Sequence, residues 1–291
     1  MNVIIVGGGA AGMMAAYSAA ENGAQVTLYE KNEKLGKKVF ITGKGRCNVT
    51  NAGDTNEFFD QVISNPKFLY SAVYGFDAFM VMELIEKYGC PLKTERGNRV
   101  FPVSDHSSDI IKAMEKAIID KGVVIKKNRF VKDIIVTDDI CKGIIIGSDQ
   151  NDGSSDESVY ADKVIICTGG SSYQSTGSDG YHIKKMASYG HKITELRPGL
   201  VPLVSTDNIC KELMGLSLKN VSLDLYVDGK NITIERITET VMRNFLLLIS
   251  FLKSIIGFCI SFLLAFGIFF VILFIKCRKY LTVLNLVFGI D

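Results

Sequence analysis

An α/β fold built on a parallel sheet is what this 291-residue chain predicts, and three observations near its start carry that reading. A short apolar strand, Asn2-Val-Ile-Ile-Val6, runs directly into Gly7-Gly-Gly-Ala-Ala-Gly12, a Gly-x-Gly-x-x-Gly turn. A small-residue helix pattern follows. A second strand, Ala24-Gln-Val-Thr-Leu-Tyr29, then ends at the acidic Glu30. In such a unit Gly7 permits the tight turn, Gly9 lets the backbone approach a pyrophosphate, and Gly12 lets the helix pack close to the sheet. Ala10 and Ala11 open that helix, whose free N–H groups and positive dipole end favour phosphate. Glu30 is placed to accept hydrogen bonds from a ribose hydroxyl. Together these features predict a Rossmann-like fold that binds a dinucleotide, FAD or NAD(P). A glycine triplet alone is weak; its agreement with strand, helix, second strand and acid gives it force.

The length accommodates one large or two ordinary domains. Hydrophobic residues make up 47% of the chain, and part of that excess sits in the C-terminal tail. A formal net charge of +2 offers no nucleic-acid signal, and the pairs Lys37-Lys38 and Lys126-Lys127 read as solvated surface. Seven scattered cysteines without a Cys-x-x-Cys pair argue against a disulfide framework or a zinc site and for a reducing compartment. The histidines His106, His182 and His191 do not cluster, so no metal is expected; His182 and His191 read as surface or packing residues. The apolar start is too short for a signal peptide, lacks a basic leader and is used by the first strand. The nucleotide-binding part is therefore expected in the cytoplasm.

Residues 31–55 form a polar, glycine-rich stretch, and a loop of that length is uncommon unless it binds something. Helical periodicity runs through 56–121, in Phe76–Tyr88 and Ile110–Ile119, broken at Pro91 and Arg96–Pro102. Short β runs follow at Val123–Lys126, Phe130–Val136, Cys141–Ile146 and Val159–Ile166, with Ser148–Ser158 as a hairpin tip. Val164–Gly170 repeats the strand-into-glycine theme. A second glycine-rich segment, Ser171–Tyr181, precedes a helix-like His182–Tyr189, and Leu200–Ile234 is again β-rich.

Several of these segments together resemble the BaiN/YhiN-type flavoproteins, a bacterial FAD-dependent oxidoreductase family described as aminoacetone-oxidase-like. The matching pieces are Val6–Gly12, Ile41-Thr-Gly-Lys-Gly-Arg-Cys-Asn-Val-Thr-Asn51, Arg99–Ser104, Cys167-Thr-Gly-Gly170 with Ser172-Tyr173, and Pro198–Leu203. Gly215–Ser222 resembles the start of that family's inserted domain. The resemblance implies a FAD-binding fold of the glutathione-reductase type with a β-meander over 1–190, and a partial inserted β-rich domain over 191–240. It implies FAD as the held cofactor, with Gly7, Gly9 and Gly12 at the pyrophosphate, Glu30 at the adenosine ribose, and Ala10, Ala11 and Lys31 as further cofactor-binding positions. Lys38 and the loop of Thr42, Gly43, Arg46, Cys47 and Asn48 would line the flavin side. The backbone near Val131 would meet the adenine, and Thr168, Gly169 and Gly170 would close over the cofactor. The implied chemistry is flavin-mediated hydride transfer, with NAD(P)H as transient donor to a small-molecule substrate. No catalytic residue is indicated.

Local departures are Cys167 where alanine is usual, Gln174 where proline is usual, Lys44 where glycine is common, and a shortened turn at 176–181. Cys47 reads as a buried structural cysteine or a redox thiol beside flavin. Arg46 either offsets the cofactor's negative charge or caps a loop carbonyl. Action on tRNA is a further reading, disfavoured by the near-neutral charge and the lack of a basic stripe.

The resemblance stops near Ile232, and the family's closing flavin-contacting segment has no counterpart. Residues 245–275 instead carry a single charge, Lys253, and Ile255–Ile275 is 21 uncharged residues. Spanning a bilayer core takes about 20 apolar residues, so a hydrophobic C-terminal helix is expected here. It reads as a membrane anchor with Lys253 snorkelling at its near end, or as the product of a frameshift that truncates the family sequence. The rival to an active enzyme is then a membrane-attached FAD-binding remnant with little or no catalysis.

Overall fold

The computed structural model describes residues 1–62, 65–147 and 155–196 in full, and the backbone of 222–227, 230–234 and 270–275. The chain divides into a unit from Met1 to Leu196 and a second from Arg197 to Asp291. In the first unit, strands β1 (Asn2–Val6) and β2 (Gln25–Tyr29) flank helix α1 (Ala10–Glu21). β1 also pairs in parallel with Lys163–Ile166, and β2 with Val124–Lys126, giving a four-stranded parallel sheet with β1 inside it.

Alternation along β1 explains the layers on either side, since successive side chains point to opposite faces. Val3 and Ile5 face α1 and a long helix at Ser107–Asp120, packing with Met13, Ala16, Leu28, Ile110 and Ile118. Ile4 and Val6 face the other way, onto Val131, Ile144 and Ile146 of an antiparallel meander. Val3 to Val6 are all buried, as a parallel strand covered on both faces must be.

Between β2 and the meander lie α2 (Lys37–Ile41), β3 (Thr50–Asn51), α3 (Thr55–Asp60), α4 (Pro66–Gly75), α5 (Ala78–Lys87), β4 (Leu92–Glu95), β5 (Arg99–Pro102), α6 (Ser107–Asp120) and β6 (Val124–Lys126). The meander is β7 (Phe130–Thr137), β8 (Ile140–Gly147) and β9 (Glu157–Tyr160), followed by β10 (Lys163–Ile166) and α7 (Tyr181–Ala187). The apolar run expected as one strand over Val159–Ile166 is thus two strands in different sheets. The chain crosses at Ala161–Asp162, where the Asp162 N–H donates to the Asn2 carbonyl and its carboxylate accepts the Asn2 N–H at 2.6 Å. Hydrophobic periodicity carries no mark of such a change of sheet.

The break expected at 96–102 is a hairpin. Gly97 and Asn98 both have positive φ, the pattern of a tight two-residue turn, and β3 adds a third strand in the order β3-β5-β4. The stretch Pro66–Lys87 is apolar and long enough to cross a bilayer by composition. Its backbone is nevertheless two helices, because Asp77 accepts the Met80 N–H at 2.9 Å and starts α5 anew.

In the second unit β11 (Ser222–Val227) pairs antiparallel with β12 (Lys230–Ile234) and parallel with β13 (Phe270–Ile275). This corrects the expected C-terminal helix over its last six residues. Phe-Val-Ile-Leu-Phe-Ile is built from aromatic and branched side chains that suit a pleated strand, and length with hydropathy alone does not separate the two states. Residues 245–269 of that expected helix, most of 191–240, and 148–154 of the expected hairpin tip lie outside the described residues.

Leu28 is fully buried in the core beneath α1, whereas Phe68 on α4 is exposed. Leu28→Ala is expected to cost about 2–5 kcal/mol in a urea melt. Phe68→Ala should stay within about 0.5 kcal/mol of wild type.

Candidate functional site

The glycine turn after β1 leaves no room for side chains where it crosses its neighbours. Gly7 has φ +103° and donates to the Tyr29 carbonyl at 2.8 Å; a Cβ there would lie 2.6 Å from the Cys167 carbonyl oxygen. A Cβ on Gly12 would overlap the Gly7 carbonyl oxygen, so Gly12 stands behind the turn and sets the close packing of α1. Gly9 caps α1 and differs: nothing lies within 4 Å of where its Cβ would be. That open side is the floor of a cleft.

Glu30 is buried at the end of β2. One carboxylate oxygen accepts the Gly8 N–H at 2.7 Å, and the other accepts the Asn32 N–H at 2.8 Å and its Nδ2 at 2.6 Å. An ionised carboxylate has about four acceptor positions, so one remains for an incoming hydroxyl.

The cleft has a volume of about 540 Å³. Gly7, Gly9, Ala10 and Ala11 line its floor. Glu30, Lys31, Lys38 and Thr42 come from the chain between β2 and the end of α2, Val131 from the start of β7, and Thr168 and Gly169 from the turn after β10. The fold thus brings eleven of the residues expected at a cofactor around one space. Lys31 pairs with Asp179 at 2.5 Å and the Lys38 ammonium meets the Ser172 hydroxyl at 3.3 Å, both bonds joining the two walls. Burial pushes the Asp179 carboxyl up, but Lys31 and the Tyr181 N–H together hold it below its ordinary value. The cations Lys31, Lys37, Lys38 and Arg129 outnumber the carboxylates Glu30 and Asp179 in the lining, which favours an anionic ligand.

Gly12, Gly43, Arg46, Cys47, Asn48 and Gly170 are not among the lining residues. Arg46 donates to Asp105 through Nε at 2.9 Å and Nη2 at 2.7 Å, pairs with Glu95, and stacks 4.1 Å from the Phe101 ring centre. It thereby ties the 42–48 loop to the β4–β5 hairpin. Asn48, with its amide turned to donate, reaches the Thr50 and Val100 carbonyls at 3.0 and 3.1 Å. Gly43, Lys44, Gly45 and Cys47 all have positive φ, and at Lys44 and Cys47 that conformation is strained. Burial pushes the Cys47 thiol up, against a bond from Thr42, and pushes Cys90 up to about 11. Both stay protonated at neutral pH and are poor nucleophiles. No cluster of metal-ligating side chains occurs among the described residues.

Asn32, Arg129, Phe130, Asp179 and His182 also line the cleft, and the sequence reading did not single them out for it. Asp179 lies between Gly177 and Gly180, both at positive φ, a loop chemistry that follows the second strand-into-glycine signal. The others come together only through tertiary packing.

Residues 1–240 match the model of the HI0933-like protein Rossmann domain. The chain belongs to this family. A 3-dehydro-bile acid delta(4,6)-reductase of Clostridium scindens is 32% identical over 202 residues, covering 68% of this chain and 46% of that protein. A ribosomal RNA dihydrouridine synthase of Escherichia coli is 27% identical over 239 residues, covering 81% of this chain and 55% of that protein. The chain thus spans about half the length of these curated relatives. The 3-ketosteroid-delta4-(5alpha)-dehydrogenase of Rhodococcus jostii RHA1 shares the fold, with a TM-score of 0.50, 15% identity, and coverage of 65% of this chain and 54% of that one. Membership in the HI0933-like family makes the first unit a Rossmann-like domain with the α/β fold of FAD-binding proteins.

The Arg46 clamp has a pH signature. Its bond to Glu95 is the main cause that holds that carboxyl low, and bonds from Lys93 and then Arg46 hold Asp105 low. Carboxyls depressed in the folded state stabilise it above their unfolded values, and that stability is lost as pH falls through the folded values. Wild type should therefore exceed Arg46→Met in urea midpoint at neutral pH, with the gap closing below about pH 4. A gap that stays constant down that range contradicts the clamp.

Proposed function

We propose that the cleft holds FAD and that the chain is of the BaiN/YhiN type, carrying out flavin-mediated hydride transfer with NAD(P)H as electron donor. The observation that carries this reading is the Gly7–Gly12 turn, open to the cleft at Gly9, beside a buried Glu30 with one acceptor position to spare. The residues fit the cofactor. The N–H groups of Ala10, Ala11 and Gly12 at the start of α1 meet the diphosphate, and Glu30 with Lys31 meets the adenosine ribose. Lys38 and Thr42 stand on the flavin side, held by the loop of Gly43, Arg46, Cys47 and Asn48. The Val131 backbone would meet the adenine, and Thr168 and Gly169 would close over the cofactor, with Gly170 continuing their turn outside the lining. Bound FAD supplies the two-electron chemistry that none of these side chains has. The chain's part is to bind, orient and exclude water.

The bile acid reductase and the dihydrouridine synthase are both named for adding hydrogen across a carbon–carbon double bond. The proposed acceptor is accordingly an unsaturated small molecule. The Escherichia coli relative's name supports a second reading, an RNA base as acceptor; the net charge of +2 favours the small molecule. The free thiols Cys47, Cys90, Cys141 and Cys167 suit a reducing cytoplasm.

Anaerobic spectroscopy tests the proposal. The purified chain should bind FAD, and NADH or NADPH should bleach it, with reoxidation by the true acceptor. A chain that binds FAD but is reduced by neither donor would be the non-catalytic remnant. Glu30 adds a specificity test, because a carboxylate favours a free 2′-hydroxyl and repels a 2′-phosphate. ADP is expected to bind about tenfold or more tighter than its 2′-phosphorylated analogue, and Glu30→Gln should narrow that ratio.

A further inference from the structure

The segment Ser171–Gly180 leaves the turn after β10 and returns to its own starting point. A Cβ on Gly180 would lie 3.3 Å from the Ser171 Cβ, so the two ends meet. A surface loop of this length with touching ends is an Ω-loop, packed by its own residues and able to move as one body. Short turns hold it together: the Thr176 N–H donates to the Tyr173 carbonyl and the Gly177 N–H to the Gln174 carbonyl, both at 2.9 Å. Its neck is glycine, with Gly169 and Gly180 at φ +76° and +75°, where a hinge rotation meets little steric cost. The outer side is open to solvent at Tyr173, whereas Ser178 on the inner side is buried.

Three polar contacts fasten the loop across the cleft to the chain after β2. The Lys31 ammonium donates to the Asp179 carboxylate at 2.5 Å, the Asn32 Nδ2 reaches the Thr176 carbonyl at 3.5 Å, and the Lys38 ammonium meets the Ser172 hydroxyl at 3.3 Å. Thr176, Gly177, Ser178 and Asp179 line the cleft from the loop, and Lys31, Asn32 and Lys38 line it from the facing wall. The approach is close, since a Cβ on Gly177 would lie 2.8 Å from the Asn32 Nδ2. Lys31–Asp179 is the strongest of the three contacts, because both partners are charged. Its side chains are 26% and 40% exposed, so water reaches the pair and it can part while the loop stays intact.

We propose that Ser171–Gly180 is a lid on the cleft, latched by the Lys31–Asp179 ion pair, and that ligand enters and leaves when this latch opens. The inference rests on the dinucleotide reading of the cleft, with FAD as the occupant. A latch between two walls obstructs entry and exit alike, so breaking it speeds both. Electrostatics without a lid gives the opposite sign for exit. Asp179 carries negative charge into a cleft that receives a diphosphate, and removing that charge would by itself tighten binding and slow release. The direction in which the release rate moves therefore separates a latch from a mere charge in the lining.

Stopped-flow flavin fluorescence on the full chain, with FAD as the probe, compares wild type, Asp179→Asn and Ser172→Ala. Asparagine still offers an oxygen to the Tyr181 N–H, which Asp179 accepts at 2.9 Å, so the start of α7 is kept. Asp179→Asn should speed FAD release by about threefold or more, with entry faster as well. Ser172→Ala, which loses the Lys38 contact with no change of charge, should move both rates the same way by a smaller factor. Unchanged or slower release from folded Asp179→Asn overturns the latch. If that variant does not fold, Ser172→Ala decides alone: faster entry and release support the lid, and unchanged rates overturn it. Failure of wild type to bind FAD at all overturns the dinucleotide reading instead, an outcome distinct from binding with unaltered rates.

Discussion

The approach of α1 to the turn after β1 sets what the rest of the first unit can do. The helix sits so close that residue 12 can carry no side chain, because the Gly7 carbonyl occupies the place of its Cβ. The same turn passes against the Cys167 backbone, so the loops after β1 and β10 are pressed together at Gly7. The helix start is thereby delivered to the carboxyl ends of the parallel strands, where open α/β sheets bind their ligands. An anion held there meets free N–H groups and the positive end of a 12-residue helix. Small side chains along α1 allow this approach, and Met13 and Ala16 fill the space behind it.

Charge and hydrogen bonding then shape the cleft from its walls. Glu30 is tolerated in a buried position because Gly8 and Asn32 supply three donors. The Lys31–Asp179 bond joins the two walls near it. Farther out, Arg46 does for the 42–48 loop what those bonds do for the walls. It holds a segment with strained backbone at Lys44 and Cys47 against a rigid hairpin, so the loop's shape depends on residues about 50 to 60 positions away in sequence.

That distance explains what the sequence made legible. The cradle, Glu30 and the cation Lys31 lie within one βαβ stretch, where a motif and its structure nearly coincide, and all were readable. The Arg46 partners Glu95 and Asp105 were not, since nothing in Gly-Arg-Cys-Asn names a hairpin beyond residue 90. Likewise, His182 reads as a surface or packing residue in isolation; it lines the cleft with Val131, 51 positions earlier, a meeting that leaves no periodic trace. Val159–Ile166 was one apolar run to the eye and two strands in the fold. Phe270–Ile275 shows the same ambiguity, a run apolar enough for a helix and branched enough for a strand.

The central claim is that the glycine cradle and Glu30 hold the ADP half of FAD. Titrating the flavin-free chain with FAD and with FMN, which lacks that half, tests it most directly. FAD is expected to bind far more tightly than FMN, with that advantage lost when Gly9→Val fills the floor of the cleft. Equal affinity for FAD and FMN, or an advantage untouched by Gly9→Val, would place the cofactor elsewhere and contradict the account.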